Sequence, residues 1–255
     1  MIKLPKTPSM RLDGMKALIT GASSGVGLGC AVALAEAGSH VVLSARNIGG
    51  LNDVVDAIQS KGLSAEAMML DVTNTNSIRE SIENHDPFDI LVNSAGLGRH
   101  SPSKDTLVED FDDVMNVNLR GAYFVTQAVA KGLIKAKKPG SLINISSQMG
   151  HVGGIDRAVY SASKHAVEGF TKAMAIEWGP HQIRVNTICP TFIRTPLTQS
   201  TFDNPERRKW IEEKIKLGRI GEVEDIMGAV VFLASEASAM ITGSALMVDG
   251  GWTAD

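Results

Sequence analysis

Apolar residues in this chain concentrate in short blocks, separated by longer stretches in which they recur every three or four positions. The blocks occupy residues 15–20, 40–45, 64–70, 88–92, 141–146, 183–189 and 245–248. Short runs rich in apolar residues are what a strand shows when both faces of its sheet are covered. Between them the spacing is helical. The first such stretch follows the glycines at 21–27 and stops at Gly38, a residue suited to ending a helix. Helical periodicity also covers 107–136, broken once, and 159–178. Strand and helix therefore alternate along the chain. This predicts an α/β fold in a single domain, 1–255: a doubly wound parallel sheet of about seven strands with helices on both faces. The segment 191–216 departs from the pattern. It is rich in charge but carries Phe202, Trp210, Ile211 and Ile215 at roughly helical spacing, and reads as a substrate lid.

Composition narrows the function. The chain has 255 residues, 44% of them hydrophobic and 5% aromatic, with 25 glycines. That suits a compact body with many tight strand–helix turns. A net charge of −3 leaves no basic footprint for nucleic acid. No run is long and apolar enough to span a bilayer or serve as a secretion signal, so a cytoplasmic protein with no membrane partner is expected. Cys30 and Cys189 lack metal or redox spacing and read as core residues of a reduced compartment. The six histidines form no ligand pattern, and no metal is expected.

The candidate chemistry gathers at the ends of the predicted strands. Gly21, Ser23, Ser24, Gly25, Val26 and Gly27 form a glycine-rich turn between strand and helix, where exposed amides attract a pyrophosphate. After the second strand, Ala45 stands where an acid would hold a ribose 2′-hydroxyl, and Arg46 follows. A guanidinium there favours a 2′-phosphate, so NADP(H) is expected over NAD(H). Asp71 and Val72 are placed to meet an adenine edge. Asn93, Ala95 and Gly96 follow the fourth strand, Ser147 the fifth and Pro190 the sixth. In open α/β sheets, ligands bind beyond these carboxyl ends. On the long helix, Tyr160 and Lys164 are four residues apart and share a face. An ammonium beside a phenol favours phenolate, and moving its pKa from about 10 to about 7 takes roughly 4 kcal/mol. Such a phenol is a general acid/base usable at neutral pH.

Together these residues resemble the classical short-chain dehydrogenases/reductases, which share a Rossmann-type fold. The resemblance runs from Met15 to Trp252 and rests on Thr20-Gly-Ala-Ser-Ser-Gly-Val-Gly27, Asp71-Val72, Asn93-Ser-Ala-Gly96, Asn118, Ser147, Tyr160 and Lys164. It implies that Ser147 polarises the substrate oxygen and Tyr160 passes the proton. It further implies that Lys164 holds the nicotinamide ribose and lowers the tyrosine pKa, and that Asn118 positions a water. Ile193 and Thr195 match the segment that meets the carboxamide, and a homotetramer is implied too. Three positions depart from the pattern: Ser94 replaces a second asparagine, Thr191 replaces a glycine, and Ser23-Ser24 carries no base.

The implied activity is the interconversion of a ketone and a secondary alcohol. Substrates in view are 3-oxoacyl thioesters, sugar or polyol ketones and small cyclic ketones. Met149, His151 and Arg157, between Ser147 and Tyr160, are candidate substrate contacts. A non-catalytic NADP(H)-binding regulator or scaffold is the alternative on the same fold.

Overall fold

The computed structural model describes residues 2–254. Seven strands form one parallel sheet: β1 (Lys16–Thr20), β2 (His40–Ala45), β3 (Ala65–Met69), β4 (Ile90–Asn93), β5 (Gly140–Ile145), β6 (Ile183–Pro190) and β7 (Ala245–Val248). Their spatial order is β3-β2-β1-β4-β5-β6-β7, and each pairing is parallel. The chain winds outward from β1 in one direction, then returns to start again at β4. The crevice above that reversal is where such sheets bind ligands.

Strand periodicity explains why the central blocks carry apolar residues at neighbouring positions. Ala17, Ile19, Val41, Leu43, Ile90, Val92 and Ile143 point into one core, packed with helices α1 (Gly25–Glu36), α2 (Gly49–Ser60) and α9 (Glu224–Ala234). The intervening Leu18, Val42, Leu91 and Leu142 point the other way. Their core includes residues of α3 (Thr75–Glu83), α5 (Ala122–Ala136) and α6 (Ala158–Trp178). A slip of one residue in any central strand would exchange its two faces, so the alternation fixes the register. Gly38 ends α1 as expected: its φ is +109°, and its N–H bonds to Ala35 O at 3.0 Å.

The predicted break in the 107–136 stretch has a definite form. Helix α4 (Val108–Met115) passes into α5 through a widened π-type turn at Asn116–Gly121. Such turns admit one extra residue and re-aim the side chains they carry. Here the turn buries Asn118, which is 1% exposed.

Residues beyond β6 build a small separate body. Helices α7 (Gln199–Phe202) and α8 (Pro205–Lys214) contribute Phe202 and Ile211 to a cluster with Ile215 and Ile220. Phe192 and Trp252 pack against it, with Trp252 5.6 Å from Phe192 and 5.4 Å from Trp210, ring centre to ring centre.

Candidate functional site

A cleft of about 970 Å³ opens along the carboxyl ends of the strands. Gly21, Ser23, Ser24, Gly25, Val26, Gly27, Arg46, Asp71, Val72, Ala95, Gly96, Ser147, Tyr160, Lys164, Pro190, Ile193 and Thr195 all line it. The fold thus brings nearly every predicted cofactor residue to one surface.

The β1–α1 turn has the shape a dinucleotide needs. Gly21 has φ +66°, and a Cβ there would sit 2.8 Å from Ala95 Cα, so only glycine fits between the two loops. Gly25 has φ +56°. Ser24 caps α1 in extended conformation without a side-chain hydrogen bond, and the first turn carries no acid. The opening amides of α1 therefore present their positive end to the cleft. Across the sheet, Asp71 is held below its usual range, first by hydrogen bonding from Thr73 N (2.9 Å) and its hydroxyl (2.8 Å), and further by nearby Arg46. The carboxylate stays charged and fixed. Arg46 is exposed at the end of β2, where Ala45 stands in place of an acid.

Asn93 behaves differently from expectation. Its side chain turns away from the cleft into the fold and donates to Thr126 Oγ1 (2.8 Å), Asn144 Oδ1 (3.0 Å) and Ala122 O (3.1 Å). Asn144 continues the chain of bonds to Thr171 Oγ1 at 3.1 Å. Thr20 Oγ1 meanwhile accepts from the amides of Ser94 and Ala95, both at 3.1 Å. This buried network ties β1, β4, β5, α5 and α6 together directly beneath the cleft. The Asn93 side chain braces the floor of the cleft and does not line it.

The catalytic candidates converge at the end of β5. Ser147 follows that strand, and Tyr160 and Lys164 reach across from α6. Ser147 Oγ accepts from Met149 N at 3.1 Å, donates to Gln148 Oε1 at 3.0 Å, and pulls the Tyr160 pKa down from nearby. Asn118 joins this group from behind. It accepts from Leu97 N (2.7 Å) and donates to Leu97 O (2.9 Å) and Ser163 Oγ (3.2 Å). Both amide hydrogens of Asn118 are thus taken by protein partners, and the residue clamps the loop after β4 onto α6.

The tyrosine's acidity is not tuned as its neighbour predicts. Burial holds the Tyr160 hydroxyl above its ordinary pKa, outweighing the downward pull of Ser147 and Arg157. Lys164 Nζ lies 5.7 Å from the centre of the ring and donates to Ile145 O at 2.9 Å. Burial also lowers Lys164, to about 8, against the opposing influence of Cys189 and Glu168. Desolvation penalises either charge, so the phenol stays protonated while the lysine keeps its charge only below about pH 8.

A second pocket, of about 210 Å³, is lined by Met149, Gly154, Ile155, Arg157, Phe192, Arg207 and Trp210, with Arg157 near enough to Tyr160 to act on its charge. Met149 and Arg157 are where the sequence places them. Arg157 is 7% exposed, and its guanidinium makes no hydrogen bond among the described residues. Burial pulls its pKa to about 10, helped by the repulsion of Arg207. His151, by contrast, lines neither the cleft nor this pocket. Its Nε2 turns to Cys189 Sγ (3.5 Å) and Glu168 Oε1 (3.7 Å). Sequence reasoning missed His100, which stands edge-on to Tyr160 at 5.8 Å between ring centres. Burial, with Arg157 and Arg207 nearby, lowers His100 to about 4, so it is neutral at physiological pH. It also missed Arg99, a lining residue beside Asp110 and Asp113. Both follow the carboxyl end of β4 within a few residues, which is the signal that could have found them.

A glycine cradle, a proton-donating pair and the Rossmann-type sheet define a nicotinamide-nucleotide-dependent oxidoreductase that interconverts a ketone and a secondary alcohol. Residues 21–253 match the family described as enoyl-(acyl carrier protein) reductase. The chain belongs to the short-chain dehydrogenase/reductase family. It is 37% identical over 246 residues to gluconate 5-dehydrogenase of Gluconobacter oxydans (strain 621H), covering 95% of this chain and 96% of that protein. It is 37% identical over 245 residues to L-xylulose reductase of Bos taurus, covering 96% and 99%. Among solved structures, a gluconate 5-dehydrogenase from Burkholderia cenocepacia J2315 in complex with NADP and tartrate superposes with a TM-score of 0.94 at 36% identity, covering 96% of this chain and 98% of that one. Among the described residues, no helix is long and apolar enough to cross a membrane.

Proposed function

We propose that this protein is an NADP(H)-preferring reductase/dehydrogenase of sugar-derived ketones, with sugar acids as the best substrates. The observation that carries the reading is the pairing of Ser147 with Tyr160 at one end of the glycine-lined cleft. Carbonyl reduction needs two hydrogen-bond donors on the oxygen as charge develops there, and these two hydroxyls provide them. Bound reduced cofactor supplies the hydride to the carbonyl carbon. Tyr160, kept protonated by burial, gives its proton to the oxygen, while Ser147 holds that oxygen in place. Lys164 binds the nicotinamide ribose, and Asn118 keeps the loop after β4 and α6 in register behind it. Gly21, Ser23, Ser24, Gly25, Val26 and Gly27 seat the pyrophosphate; Asp71 and Val72 take the adenine; Ala95 and Gly96 pass beneath the cofactor; Pro190, Ile193 and Thr195 meet the carboxamide. Arg46 supports the preference for a 2′-phosphate, as does the NADP in the Burkholderia enzyme.

The whole chain acts as one cofactor-binding and catalytic unit, residues 191–216 closing over the substrate. The separate cluster of Phe202, Ile211 and Ile215 supports a lid that moves as a body. Exposed Phe111, Tyr123 and Ile176 on α4, α5 and α6, and the half-buried edge strand β7, support a homotetramer. A cytoplasmic setting agrees with two buried thiols and no disulfide.

Arg157 carries the substrate preference. A nearly buried guanidinium with no hydrogen-bonded partner, beside Arg207 and next to Tyr160, suits a carboxylate. The test compares NADPH oxidation with keto sugar acids, neutral ketoses and acyl thioesters. Arg157→Gln is expected to raise KM for the acids by about 10- to 100-fold, the value of one or two charge-assisted hydrogen bonds, and to leave neutral ketoses nearly unchanged. Equal effects on acids and neutral ketoses would remove the carboxylate from the reading.

Lys164 gives a second test. Its ammonium is intact below about pH 8 and is lost above it. Affinity for NADPH is therefore expected to be level on the acid side and to weaken as pH rises through that value, followed by cofactor fluorescence. In Lys164→Met the affinity is lower and the inflection disappears.

A further inference from the structure

Three side chains that the proposed reaction does not use meet behind the catalytic residues. His151 comes from the loop after Ser147, Glu168 from α6 one turn beyond Lys164, and Cys189 from the end of β6. Glu168 and Cys189 are buried, and the histidine side chain is 31% exposed. Their separations are short and nearly equal. Cys189 Sγ is 3.5 Å from His151 Nε2 and 3.3 Å from Glu168 Oε1, and His151 Nε2 is 3.7 Å from Glu168 Oε1.

We propose that His151 Nε2, Glu168 Oε1 and Cys189 Sγ form a three-ligand site for one Zn²⁺ ion, with water in the fourth position. With zinc–ligand lengths of about 2.0 Å to nitrogen and oxygen and about 2.3 Å to sulfur, the edges of a tetrahedral face come to roughly 3.3–3.5 Å. The observed triangle is close to that size before any ion pulls it in. The donor set, one thiolate, one imidazole and one carboxylate, selects a borderline-soft divalent ion over calcium or magnesium.

The surroundings are built for it. Thr187 Oγ1 donates to Glu168 Oε2 at 2.9 Å, which orients the carboxylate and leaves Oε1 turned to the other two donors. Ser146 Oγ is buried without a well-formed hydrogen bond and lies close to Cys189. A hydroxyl so placed can accept from a zinc-bound water. The exposed edge of His151 provides the way in. Binding transfers no electrons: the Cys189 thiol releases its proton to solvent, and three coordinate bonds form. The loaded site also takes the Glu168 charge away from Lys164, one turn along the same helix.

Cobalt(II) provides the test, because it occupies zinc sites and reports a thiolate by a near-ultraviolet sulfur-to-cobalt charge-transfer band. The full chain, freed of metal with a chelator and kept reduced, is expected to bind one Co²⁺. It should show that band together with the visible absorption of four-coordinate cobalt, and both should vanish on adding an equivalent of Zn²⁺. Cys189→Ser abolishes the charge-transfer band; Cys30, deep in the opposite core, leaves none in its place. His151→Ala, at a partly exposed position, weakens Co²⁺ binding by about tenfold or more, with His151→Gln as the substitute if the first variant loses its far-ultraviolet circular dichroism. A wild-type protein saturated with cobalt that shows no charge-transfer band overturns the site. So does a folded His151 variant that binds as tightly as the wild type. Neither result touches the oxidoreductase reading, which is tested by ketone reduction alone.

Discussion

Tyr160→Phe lowers kcat for ketone reduction by about 10²- to 10⁴-fold, the usual contribution of a positioned acid, while NADPH binds as before. The substitution removes one oxygen and little else. The ring still stands edge-on to His100, and α6 keeps the buried face that packs on the sheet. The lost oxygen is the one that burial keeps protonated, so the variant has no group with a proton to give at that spot. Steady-state NADPH oxidation and a fluorescence titration of cofactor binding measure the two halves separately. A nucleotide-binding regulator or scaffold predicts no change in either, because it assigns no turnover to the phenol. Retained turnover in the phenylalanine variant would remove Tyr160 from the chemistry, whatever the cofactor does.

Arg46→Asp reverses the cofactor preference. The guanidinium stands exposed at the end of β2, on the rim where the adenosine ribose is expected. Removing its charge-assisted hydrogen bonds to a 2′-phosphate costs about 1.5–3 kcal/mol, which is about 10- to 100-fold in affinity. The new carboxylate adds repulsion toward NADPH and offers the ribose hydroxyls of NADH an acceptor. NADPH affinity is therefore expected to fall by at least the upper part of that range, and NADH affinity to rise. Competitive titration of the two dinucleotides against wild type and variant reads the change. Tighter binding of NADH than NADPH by the wild type would overturn the assignment at once.

Much of this could be read from the chain because the strands are covered on both faces. Largely apolar blocks gave all seven strands to within a residue or two, the fourth differing most, Ile90–Asn93 against 88–92. Strand ends then located the cleft, since a parallel sheet puts its loops at one edge. What the sequence could not supply was the direction of individual side chains. Asn93 occupies a position next to the cofactor loop, yet its amide finds more partners in Thr126, Asn144 and Ala122 than it would in the cleft. His151 lies between Ser147 and Tyr160 in the sequence and turns to Glu168 and Cys189. Those three donors are too far apart along the chain for any spacing rule to join them. The pairing of Tyr160 with Lys164 was visible, but the sign of the shift was not. Four residues along a helix set proximity, whereas the shift depends on how much protein surrounds both groups.

The cluster joining α7 and α8 to Trp252 has a wider consequence. The aromatic rings that wall the pocket beside Tyr160 belong to a small body whose packing owes little to the two cores flanking the sheet. Substitutions there can reshape what enters without disturbing the Ser147 and Tyr160 hydroxyls. One unchanged reactive centre can in this way be redirected, over evolutionary time or at the bench, toward ketones of different length and charge.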